Sequence, residues 1–127
     1  MEIETYIVIG GIFSIGFVIF HLLFWKIFKW ETELRLLNHV NKGIIQVLNL
    51  CLTYIFLLFA YISFFHPTEL VSSGLGKSIL LLISLFWFIR AIEQIYFFGI
   101  KNRISIILFI IFILGGLIYL YPFVISL

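Results

Sequence analysis

The sequence predicts an all-α membrane protein, an antiparallel bundle of four transmembrane helices with both termini outside the cell. Three observations predict it. Of 127 residues, 64% are hydrophobic and 11% charged, with a mean hydropathy of +1.25. A soluble domain carries about 45–50% and about 25% respectively, so the charges are too few to cover a surface in water. The apolar residues also fall into runs of about 20, the length that crosses a bilayer as a helix. Finally, the basic residues gather in two of the three connections between those runs. The same composition excludes intrinsic disorder, which needs low hydrophobicity. A net charge of +2 with no basic stripe argues against a nucleic-acid partner.

The first span covers about residues 6–28. It follows an acidic start, Met1-Glu2-Ile3-Glu4, unlike the basic opening of a secretory signal. Gly10, Ser14, His21 and Trp25 lie on one helical stripe, and small residues at 10 and 14 let another helix approach closely. In the connection that follows, Leu36, Leu37 and Val40 fall at helical spacing between polar residues, which predicts a short interfacial helix. The second span, about residues 44–65, carries a stripe of Gln46, Asn49, Thr53, Ala60 and Ser63. Pro67, Gly74 and Gly76 predict an irregular loop over about residues 66–78.

The third span, about residues 79–100, holds Arg90, Glu93 and Gln94, with Phe86 and Trp87 one turn earlier. Lys101-Asn102-Arg103 is too short for anything but an antiparallel turn into the fourth span, about residues 104–126. That last span has almost no polar interior, and Gly115-Gly116 predicts close packing or a bend. Four spans of about 20 residues leave room for one domain, residues 1–127, with short connections. An open β-architecture would need alternating hydrophobicity, which is absent.

Lys26, Lys29, Arg35 and Lys42 lie between spans one and two, and Lys101 and Arg103 between spans three and four. The remaining loop holds only Lys77. An excess of Lys/Arg marks the cytoplasmic side, so the chain is expected in a bacterial inner (plasma) membrane with both termini outside. Trp25, Trp30 and Tyr96 fit an inner aromatic belt, and Tyr6, Tyr119 and Tyr121 an outer one.

Several motifs fail on inspection. Gly74-Leu75-Gly76-Lys77-Ser78 ends like a phosphate-binding loop, but the required first glycine is replaced by Val71. His66 and Glu69 are two ligands where a transition metal wants three or more. Cys51, the single cysteine, sits in an apolar run and reads as a small buried hydrophobe. No metal and no cofactor is expected.

The polar groups inside the spans carry the functional signal. A charge at a helix centre costs about 2.5–3.5 kcal/mol on the insertion scale. Arg90 and Glu93, at i and i+3, are expected to pair on one face, with Gln94 extending it. At 1.5 Å rise per residue, His21 lies about 7 Å above Lys26, and Gln46 and Asn49 about 6 and 10 Å above Lys42. Gln94, Glu93 and Arg90 lie about 10, 12 and 16 Å above Lys101. These overlapping depths predict one polar pocket in the cytoplasmic half, built from His21, Trp25, Gln46, Asn49, Trp87, Arg90, Glu93 and Gln94.

Three stretches, Phe20 to Trp30, Asn41 to Asn49 and Phe86 to Gln94, resemble small uncharacterised bacterial four-span membrane proteins. The resemblance implies the four-span fold and no named activity. From the residues, three functions compete. The pocket binds or transports a small anion or amphiphile; or the same face docks a partner span, making the chain a structural or accessory subunit; or Glu93 or His21 serves as general acid/base in a lipid-modifying enzyme. The expected partners are the lipid bilayer and a homo-oligomer or larger membrane complex.

Overall fold

The computed structural model describes all 127 residues and contains helices and turns but no strand. Four helices are long and apolar enough to cross a membrane: α1 (Ile3–Leu22), α4 (His39–Phe65), α6 (Gly74–Phe98) and α7 (Arg103–Ser126). Three short helices join them: α2 (Phe24–Ile27), α3 (Trp30–Glu33) and α5 (Pro67–Ser72). No more than about a third of an apolar 18-residue stretch of each long helix is buried within the molecule (28%, 28%, 33% and 28%). Residues such as Ile12, Leu82, Ile92 and Ile107 point outward, as they do when lipid is the solvent.

The helices follow the neighbour order α4–α1–α7–α6. α1 packs on α4, α6 on α7, and α1 on α7, whereas α4 and α6 do not pack backbone to backbone. Aromatic side chains span the space between them: Phe86 meets Phe56 and Phe59 edge-on at 5.8 and 5.3 Å, and Trp87 stacks on Phe56 at 5.2 Å. The core is one contiguous cluster that includes Ile7, Phe17, Phe56, Leu80, Trp87 and Phe112.

Glycines set the closest approaches. Gly10 lies under the Tyr119 ring and Gly115 under Phe13 and Trp87, so α1 and α7 come together where no Cβ intervenes. Gly116 packs against Phe88, and its carbonyl accepts from Ser84 Oγ at 2.8 Å. The glycine pair thus serves close packing.

The connections differ from those the sequence predicts. The first span does not run to residue 28; α1 stops at Leu22. The side-chain amide of Asn49 donates to the His21 carbonyl at 3.0 Å, and the backbone N–H of Trp25 makes no bond to it. An inserted side chain is a recognised cause of such a break. The chain continues through α2, a left-handed Lys29 (φ 52°), α3 and a 3-10 turn at Leu34–Leu36. No interfacial helix covers Leu36 to Val40. Leu37 is extended, and Asn38 caps α4 by accepting from the Asn41 N–H at 2.8 Å, so Val40 already belongs to α4.

The second connection is helical rather than irregular. Pro67 occupies the first turn of α5, where its missing N–H costs nothing. Ser73 Oγ accepts from the Gly76 N–H at 2.9 Å and opens α6. Gly76 is needed because any side chain there would run into the backbone of Glu69 and Leu70. This packing role accounts for the glycine that resembled part of a phosphate loop. Gly99 (φ 73°) and Asn102, which accepts from the Ile104 N–H at 2.9 Å, make the tight turn into α7. Cys51 is exposed on α4 rather than buried.

Tyr119 is not in an outer belt. It is fully buried, and its hydroxyl lies 2.8 Å from Ser63 Oγ and 3.3 Å from Ser14 Oγ. Ser14 Oγ itself donates to the Gly10 carbonyl at 2.9 Å. One hydroxyl therefore ties α7 to α1 and α4, satisfying three buried polar groups at once.

Candidate functional site

Apart from the Tyr119 hydroxyl network and the Ser84–Gly116 bond, the polar residues inside the bundle form two clusters, one on each side of the gap between α4 and α6. On the α1/α4 side, Asn49 grips His21 twice. Its Nδ2 donates to the His21 carbonyl at 3.0 Å, and its Oδ1 accepts from His21 Nδ1 at 2.8 Å. A carbonyl only accepts, so the orientation of the Asn49 amide follows, and His21 Nδ1 must carry the proton. The ring stacks on Phe24 at 4.2 Å and leans on Phe56 at 5.0 Å. Nearer the end of the helices, Trp25 Nε1 donates to Gln46 Oε1 at 3.1 Å, and Gln46 Nε2 donates to the Lys42 carbonyl at 3.1 Å. Thr53 Oγ1 returns a bond to the Asn49 carbonyl at 2.7 Å. His21 and Asn49 are thus bonded to each other, as are Trp25 and Gln46.

On the α6/α7 side, Arg90 Nη2 donates to Gln94 Oε1 at 3.1 Å. Gln94 Nε2 donates to Ser105 Oγ at 3.0 Å, and Ser105 Oγ donates to the Gly99 carbonyl at 2.6 Å. The guanidinium also lies over the Phe112 ring, 4.5 Å from its centre. The expected Arg90–Glu93 pair does not form, and the single ion pair within 4.0 Å is His66–Glu69 on the opposite end of the bundle. Gln94, at i+4, takes Arg90 instead, and Glu93 is left exposed.

Between the clusters lies a lateral groove of about 340 Å³, lined by Leu52 of α4 and Phe86, Ile89, Arg90 and Glu93 of α6. Arg90 Nε and Nη1 meet no protein acceptor and are not sealed from this groove. The magnitudes show what is unmet. A charged residue at this depth costs about 2.5–3.5 kcal/mol. An interhelical hydrogen bond returns about 0.6 kcal/mol on average, and a cation–π contact about 0.5–2 kcal/mol. The Glu93 carboxylate one turn along adds attraction but does not close to an ion pair, so Arg90 keeps free donors that an anionic group in the groove would engage.

Of the eight sequence-predicted residues, only Arg90 and Glu93 line the groove. His21, Trp25, Gln46 and Asn49 form a separate hydrogen-bonded cluster, and Gln94 holds Arg90. Trp87 is fully buried between the faces of Phe56 and Phe112, and its indole N–H has no hydrogen-bond partner. The rings around it offer only weak π acceptors. Sequence reasoning missed Ser105 and Phe112, because α7 reads as an apolar helix. A serine two residues past a tight turn, level with Gln94, was the available signal. Comparisons with known protein families, curated proteins and solved structures give no match to this chain.

Proposed function

We propose that this chain binds an amphiphile in the membrane, holding a phosphate or carboxylate of its head group on Arg90 in the α4/α6 groove. The observation that carries this reading is an under-compensated guanidinium lining an opening that faces the bilayer laterally. Lateral access favours a molecule already dissolved in the lipid over a free anion. Apolar walls from Leu52, Phe86 and Ile89 suit the junction between head and chain. Beyond Phe86 the aromatic layer fills the space between α4 and α6, which favours binding over passage through one copy. Transport would call for a homo-oligomer or a larger complex.

The Lys/Arg distribution supports an orientation in which the groove lies in the cytoplasmic half of a bacterial inner membrane, with both termini outside. Lipid extracts of the protein purified from native membranes test the reading. The wild type is expected to carry an amphiphile with a phosphate or carboxylate in its head group, which Arg90→Gln loses. Equal lipid content in both would overturn it. The open α4/α6 edge supports a second reading, an accessory subunit docking a partner helix there. A stoichiometric partner protein, released by Arg90→Gln in place of a lipid, would favour that reading.

A further inference from the structure

Arg90 does not stand alone in the groove. Glu93 lines the same space one turn along α6, is exposed, and pairs neither with Arg90 nor with any other cation. The groove therefore presents a positive and a negative group one turn apart, which attract one another without closing to an ion pair and so both stay open to a ligand. A purely anionic head would satisfy Arg90 and be repelled by Glu93; a cation would do the reverse. Only a ligand carrying both signs meets both side chains.

Building on the amphiphile reading, we propose that the groove selects a zwitterionic phospho-amine lipid head, with its phosphate against Arg90 and its ammonium against Glu93. The geometry suits that chemistry. Arg90 offers free donors at Nε and Nη1 toward phosphate oxygens, while Gln94 and Phe112 hold the rest of the guanidinium in place. The carboxylate of Glu93 accepts from an ammonium and has no competing hydrogen bond to give up. A space of about 340 Å³ lies at the small end of ligand pockets. It holds a head group and leaves the acyl chains in the bilayer, where the groove opens. Leu52, Phe86 and Ile89 then contact the uncharged part of the head.

Native mass spectrometry of the full chain tests this. The protein is equilibrated with equimolar phosphatidylethanolamine and phosphatidylglycerol bearing identical acyl chains, and retained lipids are counted. The wild type is expected to favour phosphatidylethanolamine by about fivefold, the upper range of one partly solvated charge contact. Glu93→Gln should bring the ratio close to one without lowering total retention. Arg90→Gln should lower retention of both lipids, and Arg90→Lys, which keeps the charge, should recover part of it. No preference in the wild type, a preference for phosphatidylglycerol, or a ratio unchanged in Glu93→Gln would each overturn the zwitterion assignment. In those cases a loss of both lipids in Arg90→Gln would still uphold the head-group site, whereas unchanged retention in Arg90→Gln would remove both.

Discussion

The amide of Asn49 is used twice on a single residue, and this fixes a protonation detail. Because Asn49 Nδ2 donates to the His21 carbonyl, the neutral His21 ring carries its proton on Nδ1 and leaves Nε2 bare. Nitrogen-15 NMR at about pH 8 should report that tautomer, and Asn49→Ala should abolish the preference. The same substitution removes both α1–α4 bonds. At about 0.6 kcal/mol each, it should cost about 1 kcal/mol in a thermal melt in detergent. At the other end of the bundle, the Glu69 carboxyl is held below the usual glutamate range, first by its own backbone N–H and then by His66 at 3.3 Å. A depressed carboxyl favours the folded state above its ordinary pKa, and that benefit is lost as pH falls through the depressed value. A carbon-13 NMR titration should therefore place the Glu69 midpoint below that of an ordinary glutamate. His66→Gln should raise it only part of the way, since the backbone contribution stays.

At the scale of elements, the joints are more informative than the spans. Gly76→Ala forces a methyl into the backbone of α5 and should cost about 1–3 kcal/mol, as overpacking does. Gly43 lies in α4 with open space around it, so Gly43→Ala should instead stabilise by about 0.4–1 kcal/mol. Melting both variants in the same detergent separates the two roles of glycine. The long helices were legible because hydropathy alone specifies them: about 20 apolar residues have one stable form in lipid. The connections were misread although their signals are local. Asn38 and Ser73 are capping residues, and Pro67 suits a first helical turn, but a hydropathy window passes over all three. The polar stripes on α1 and α4 were legible from periodicity. What they contact was not. The Tyr119–Ser63 bond joins residues 56 apart in sequence, and whether Arg90 turns to Glu93 or to Gln94 depends on Ser105 and Phe112 across the interface.

At the scale of the whole molecule, the antiparallel turns bring Lys26, Lys29, Arg35, Lys42, Lys101 and Arg103 to one end and leave Glu2, Glu4, Glu69 and Lys77 at the other. Under the proposed orientation, Asn102→Cys in a Cys51→Ala background should react with an impermeant maleimide only after the cells are opened, and Ser72→Cys should react in intact cells. The opposite pattern would invert the topology. The neighbour order α4–α1–α7–α6 has a mechanical side as well. α1 with α4 forms one leaf and α6 with α7 the other, and the α1–α7 contact acts as the spine of a half-open book whose fore-edge is the groove. The spine closes on Gly10 and Gly115, where aromatic rings leave no space for even a methyl group. Thickening it there would tilt the leaves and change the width of the fore-edge, so Gly115→Ala, which is not itself a lining residue, should alter which lipids are retained while Arg90 and Glu93 stay intact. How wide the entrance stands is thus decided along the hinge, out of reach of any guest.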